Sequence, residues 1–159
     1  MINYSNITFS KIAEYTYSHF NLIKDVYLKH NSINDTYEGQ ERLLKFISVD
    51  EANDRLNTES IFYEVLNHNK DLLGIIELEK NHIVLLYIKD SFQKKGIGKK
   101  SIEALKNLHP NYPAFTVFAT PYSIHFYEKN RFKKTNDNIQ EIQGLRYYSM
   151  KIDLKSATE

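Results

Sequence analysis

Apolar positions follow two rhythms along this 159-residue chain, and the change from one to the other separates its elements. In residues 10–28, SKIAEYTYSHFNLIKDVYL, the side chains of Ile12, Tyr15, Phe20, Ile23 and Tyr27 recur at spacings of three to five. That period predicts an amphipathic helix with Ser10 as its N-cap. After the polar break KHNSIND, residues 36–56 carry Leu43, Leu44 and Phe46 at helical spacing. They predict a second helix whose start is blurred by Gly39.

From residue 61 the pattern shortens. IFYEVL (61–66), LLGIIELE (72–79) and IVLLYIK (83–89) are brief, apolar and rich in β-branched residues, with NHNKD and KN between them. They predict three antiparallel strands joined by hairpins. IVLLYIK is apolar on both parities, as expected of a central strand covered on both faces. A helix over about 95–108, a strand over 114–120, a short helix across 122–129 and a last strand pair around FKKT and LRYYSMKIDL complete the order. The expected fold is one mixed α/β (α+β) domain over residues 1–154, with 155–159 as a frayed tail.

Composition narrows the chemistry. The chain is 42 % hydrophobic, enough for a core, and its 21 basic and 20 acidic residues leave a net charge of +1. That balance gives no global field for nucleic acid or anionic membranes. There is no cysteine, so disulfides, thiol nucleophiles and thiolate metal sites are excluded, and six scattered histidines predict no metal centre. No apolar run approaches the roughly 20 residues of a membrane span, and the N-terminus lacks a signal-peptide pattern. A soluble cytoplasmic protein is expected, in which the NIT sequon at Asn6 has no role.

The distinctive stretch is FQKKGIGKKSIEAL, residues 92–105, which holds two of the five glycines just after the central strand. A strand running through glycines into a helix suits an anion, because first-turn N–H groups lack partners and the helix dipole adds positive charge there. A phosphate loop of the Gly-x-x-x-x-Gly-Lys-Ser/Thr type fails, since Gln93 stands at its first glycine and Lys100 follows Gly98-Lys99. A dinucleotide fingerprint is disfavoured too: GIGKKS ends in Ser101, and no acidic residue closes the strand AFTVFAT. On these residues alone, a plain tight strand-to-helix turn suits the glycines as well as an anion site does.

The loop resembles the Gln/Arg-x-x-Gly-x-Gly/Ala motif of the GNAT-type N-acetyltransferase superfamily, through Gln93, Gly96 and Gly98. A second stretch, TPYSIHFYEKNRF, resembles that family's Phe-Tyr-x-x-x-Gly-Phe segment through Phe126, Tyr127 and Phe132, with Arg131 where glycine is usual. The order of elements between the motifs also follows the family. The resemblance implies a mostly antiparallel central sheet flanked by helices, with a splay between the family's fourth and fifth strands. It implies acetyl-CoA as acyl donor, with the pantetheine arm along the backbone of Leu86, Tyr87 and Ile88. The pyrophosphate would lie on the loop of Gln93, Lys94, Lys95, Gly96, Ile97, Gly98 and Lys99, with Lys100 as further charge.

For the chemistry, the resemblance implies Tyr127 as general acid toward the departing thiolate and a backbone N–H near Leu86 as oxyanion donor. His82, at the start of the family's fourth strand, is the candidate base. Glu77 and Glu79 share a strand face and are alternatives to it, while His125 reads as structural. The acceptor, a small-molecule or peptide amine, would lie between residues 30–46, with Tyr37, Glu38 and Arg42, and the last hairpin, with Arg146 and Tyr147. A non-catalytic acyl-CoA-binding module is the alternative. No nucleic-acid or membrane partner is expected, and a homodimer is compatible with the family pattern.

Overall fold

The computed structural model describes residues 2–4 and 6–154, so the expected tail at 155–159 lies outside the described residues. Its first difference from the sequence-based expectation is at the N-terminus. Strands β1 (Ile2–Tyr4) and β2 (Ile7–Lys11) form a hairpin, and Ser10 is a strand residue opposite Glu64. Ile7 and Phe9 are buried on alternate positions of β2, a period-two signal too short to stand out beside the helical spacing that follows. The helix α1 (Tyr17–Val26) begins only after Thr16, whose backbone N–H donates to His19 Nδ1 at 2.9 Å. It widens into a π-turn at Tyr27–Asn31 and tightens again at Ser32–Asn34.

The second expected helix is two, α2 (Tyr37–Phe46) and α3 (Val49–Thr58). Ser48 is extended at ψ 154° and its Oγ accepts from the Glu51 N–H at 3.4 Å, capping α3. The carbonyl of Ile47, freed by the break, accepts from Tyr15 Oη at 2.7 Å. Gly39 sits in the first turn of α2 for steric reasons, since a Cβ there would be 2.3 Å from the Gly144 carbonyl oxygen.

Strands β3 (Ile61–Leu66), β4 (Leu72–Glu79) and β5 (His82–Ile88) follow as an antiparallel meander, as the short apolar runs predicted. Then come α4 (Ile97–Leu108), β6 (Ala114–Ala119), α5 (Ile124–Lys129), β7 (Lys133–Lys134), β8 (Gln140–Ile142) and β9 (Leu145–Asp153). The sheet order is β1-β2-β3-β4-β5-β6-β9-β7, with β8 paired to β9, and among the described residues only β5 and β6 run parallel. One core lies under α4 and α5, with Phe9, Val65, Ile76, Ile83, Ile97, Leu105, Val117 and Tyr127. The other lies under α1–α3, with Tyr15, Ile23, Ile47, Phe62, Ile75 and Leu85. Among the described residues no helix is long and apolar enough to cross a membrane.

Two irregularities position the site. Opposite β4, Glu77 pairs with Leu85 and Leu78 with Ile83, so Val84 is an extra residue. Val84 and Leu85 both pack toward α1–α3, whereas Ile83 and Leu86 pack on the opposite side. Beside it, β5 and β6 pair only at His82–Thr116 and Ile83–Val117 and then separate. These are the strands expected to splay, and the edge of Leu86, Tyr87 and Ile88 away from β4 faces the gap.

Candidate active site

At the mouth of the wedge, a turn at Asp90–Phe92 leads to α4, with Gly96 as N-cap in the left-handed region at φ 81°. Beyond its chain neighbours and its own helix, no atom lies within 4 Å of the place a Gly96 Cβ would take, so the approach to the start of α4 is open there. Lys94 is also left-handed, at φ 61°. Gly98 answers a different need, because a Cβ there would be 2.5 Å from Phe126 Cε1. Ile97 buries its side chain in the core. Lys94, Lys95 and Lys99 are exposed around the start of α4, with Lys95 Nζ 5.4 Å from the Phe92 ring centre.

Gln93 ties the loop to the wedge. Its Nε2 donates to the Ile88 carbonyl at 2.9 Å, and its Oε1 accepts from Tyr122 Oη at 2.7 Å. The Tyr122 ring stacks on His30, 4.4 Å between centres, and His30 and Lys29 both meet Asp90. Tyr122 thus links the chain leaving β6 to the chain leaving β5. It lies within TPYSIHFYEKNRF but fills none of the matched positions there, and its partners are distant in the chain.

Tyr127 is 4 % exposed, held edge-on by Phe126 and Phe132 at 5.0 and 5.2 Å. Its hydroxyl has no hydrogen-bond partner among the described residues. Burial first, and the neighbouring Tyr87 phenol second, push its pKa well above the ordinary tyrosine value, so it is a protonated donor at neutral pH. Tyr87 is pushed up to about 12, chiefly by burial, while a 3.4 Å bond from Asn31 Nδ2 works the other way. Asn31 Oδ1 is buried with no partner among the described residues. Arg131 stands at φ 70°, and the N–H groups of Arg131 and Phe132 close α5 on the carbonyls of Glu128 and Tyr127, each at 3.0 Å. This is a left-handed helix stop that normally takes glycine, and it forms here despite the substitution.

His82 sits at the closed end of the wedge, with Nδ1 2.7 Å from Thr116 Oγ1 and its ring edge-on to Phe118 at 4.5 Å. Burial lowers its pKa, partly offset by Glu79, so the ring is neutral near pH 7. The Nε2 has no hydrogen-bond partner among the described residues.

Glu77 is not available as a base. It is 0 % exposed and held by Arg55 Nε at 2.8 Å, Arg55 Nη2 at 3.0 Å and Ser60 Oγ at 2.8 Å. Spacing along one strand cannot reveal a partner on a distant helix. Glu79 lies opposite His82 in the β4–β5 register and stays partly exposed. His125 is exposed and 3.4 Å from Glu128 on its own helix.

Of the expected acceptor-side residues, Tyr147 comes to the site, its ring 4.5 Å from Phe118. Arg146 donates its backbone N–H to Asp35 Oδ1 at 2.9 Å and its Nε to Glu141 at 3.3 Å, so it braces the hairpin. Asp35 also accepts from Tyr27 Oη at 2.6 Å. Tyr37, Glu38 and Arg42 are exposed on α2. Among the described residues no group of His, Cys, Asp or Glu is placed to hold a metal ion.

A mixed sheet opened into a wedge between its parallel strands, with a glycine-capped helix at the mouth, defines the GNAT class of acyltransferase fold. An acetyltransferase (GNAT) domain model matches residues 31–154. A GCN5-related N-acetyltransferase from Rhodopseudomonas palustris superposes with a TM-score of 0.71 at 18 % identity, over 97 % of this chain and 99 % of its own. PaiA N-acetyltransferase from Thermoplasma acidophilum, in complex with coenzyme A, gives 0.67 at 19 % identity over 93 % and 99 %. Spermidine N-acetyltransferase SpeG from Vibrio cholerae gives 0.63 at 18 % identity over 94 % and 95 %. This chain belongs to the GNAT acetyltransferase family.

Proposed function

We propose that this chain is an acetyl-CoA-dependent N-acetyltransferase acting on a primary amine of a small molecule or peptide by direct attack in a ternary complex. The observation that carries the proposal is the unpaired β5 edge beside the open helix N-terminus at Gly96, with Tyr127 buried as a neighbour of Tyr87 on that strand. The residues fit the donor. The β5 edge at Leu86, Tyr87 and Ile88 pairs with a pantetheine arm, apart from the Ile88 carbonyl, which Gln93 Nε2 already takes, and N–H groups from Gln93 to Lys99 receive a pyrophosphate.

Acetyl-CoA supplies a thioester carbonyl as the electrophile. His82, neutral and held by Thr116, takes a proton from the attacking amine. A backbone N–H near Leu86 donates to the oxygen that gains negative charge. The Tyr127 hydroxyl then protonates the leaving sulfur. Exposed Lys94, Lys95 and Lys99 add positive charge around the phosphates.

The test is calorimetry with acetyl-CoA followed by free-CoA release across a panel of amines. Binding with release on at least one amine supports the reading. Binding without release on any amine returns the chain to a non-catalytic acyl-CoA-binding role, and no binding at millimolar concentration rejects both.

A further inference from the structure

Phe118 is anomalous for a residue of an interior strand. β6 is paired on both edges, to β5 and β9, and its Phe115, Val117 and Ala119 face is buried beneath α4 and α5. Phe118 points the other way and is 51 % exposed, although the layer α1–α3 covers the same face of β3, β4 and β5. A large apolar side chain left open at mid-sheet needs an occupant more than one at a loop tip does. It also lies one residue beyond Val117, the last β6 residue paired with β5, and so at the throat of the wedge.

The neighbours of Phe118 make a wall. His82 meets its ring edge-on at 4.5 Å, and Tyr147 of β9 tilts against it at 4.5 Å from the other side. On the same face, Thr116 Oγ1 is bound to His82, and Ser149 Oγ is bound to Gln140. Charge is sparse. Glu79 lies opposite His82 and Lys151 pairs with Asp153 at 3.2 Å, while Glu141 and its partner Arg146 are one register position from Tyr147 and so on the other face of the hairpin.

We infer that Phe118 and Tyr147 form the acceptor-specificity wall, and that it receives an amine whose nitrogen is carried on a flat apolar group. The inference rests on the transferase reading above. A ring laid against Phe118 and Tyr147 buries apolar area and stacks on them, while its short aliphatic arm brings the amine to the unbonded side of His82. A polyamine would need free carboxylates spaced along its path; Glu79 lies beside the base, whereas Asp35, near the hairpin, is already bound by the Tyr27 hydroxyl and the Arg146 N–H.

The experiment compares kcat/KM for benzylamine and phenethylamine with that for ethanolamine and spermidine, in the wild-type chain and in Phe118→Ala and Tyr147→Ala. The wild type is expected to favour the arylalkylamines by about tenfold or more. Phe118→Ala should erase that preference through KM for the aryl amines, with KM for acetyl-CoA unchanged. Phe118→Leu, which keeps the apolar volume but not the flat face, should retain only part of it.

Equal use of all four amines by the wild type, a preference for spermidine, or an aryl preference that survives Phe118→Ala would each overturn the inference while leaving a working transferase. Acetyl-CoA binding with no transfer to any amine would instead overturn the transferase reading, and this inference with it.

Discussion

The backbone of Gly98 and the ring of Phe126 are in direct contact, close enough that a Cβ on Gly98 would stand 2.5 Å from Cε1 and 2.9 Å from Cζ. The glycine loop and the Phe-Tyr segment, separate in sequence, are therefore one packed unit, and Tyr127 inherits its position from the loop through its neighbour. Gly98→Ala should displace Phe126 and reduce both acetyl-CoA affinity and kcat, the latter by about tenfold or more. Adding Phe126→Leu should recover much of the loss. Calorimetry and steady-state kinetics on the two variants decide it, and a double variant as impaired as the single one would assign Gly98 to the phosphate approach alone.

The ionisation of the site predicts its pH profile. A base must be neutral to act, and burial lowers the His82 pKa. The acid limb of kcat/KM should therefore lie below about pH 6.5, the value of a free imidazole. His82→Gln should remove that limb and lower kcat/KM by about 100-fold. Tyr127 is shifted upward, so it adds no falling limb below about pH 10. Tyr127→Phe should lower kcat while leaving the acetyl-CoA dissociation constant unchanged.

Arg55 and Glu77 predict a stability effect. The side chains are 12 % and 0 % exposed and joined by two bonds, and the Arg55 guanidinium lies 3.6 Å from the Phe46 ring centre. Arg55→Leu strands a buried carboxylate and should cost about 3–5 kcal/mol, seen as a lower denaturation midpoint. Arg55→Leu with Glu77→Leu removes both charges and should be less destabilised than Arg55→Leu alone.

What the sequence revealed depended on range. Strands 61–66 and 72–79 and the helix ending at Leu108 follow from local signals, the strands from short apolar, β-branched runs bounded by polar breaks and the helix from its own period. Strand β2 did not, because its pairing with β3 is long-range and Ser10 also suits a helix cap. The break between α2 and α3 was written in Ser48-x-x-Glu51, a capping pattern hidden inside a continuous apolar period. In the site, motif spacing pointed to Tyr127 and the glycines. The sealing of Glu77 by Arg55, the Tyr122–Gln93 link and the open face of Phe118 arise from chain segments brought together only by the fold.

Arg131 offers a gain in stability. At φ 70° it holds a backbone conformation that disfavours a side chain, yet its turn is intact. Arg131→Gly should stabilise the chain by about 1 kcal/mol after allowing for the greater freedom of glycine when unfolded. The denaturation midpoint should rise by about 2–4 °C. An unchanged or lowered midpoint would mean that the arginine side chain contributes more than the backbone loses.

The extra residue at Val84 gives the central strand a memory of phase. Downstream of it, every side chain points to the side opposite the one that plain alternation from His82 would assign. Substituting Val84 can tune packing by degrees, but deleting it would exchange the outlooks of Leu86 and Tyr87 together. The step from one arrangement to the other has no intermediate, so this strand can vary residue by residue only while its length in that one place stays fixed.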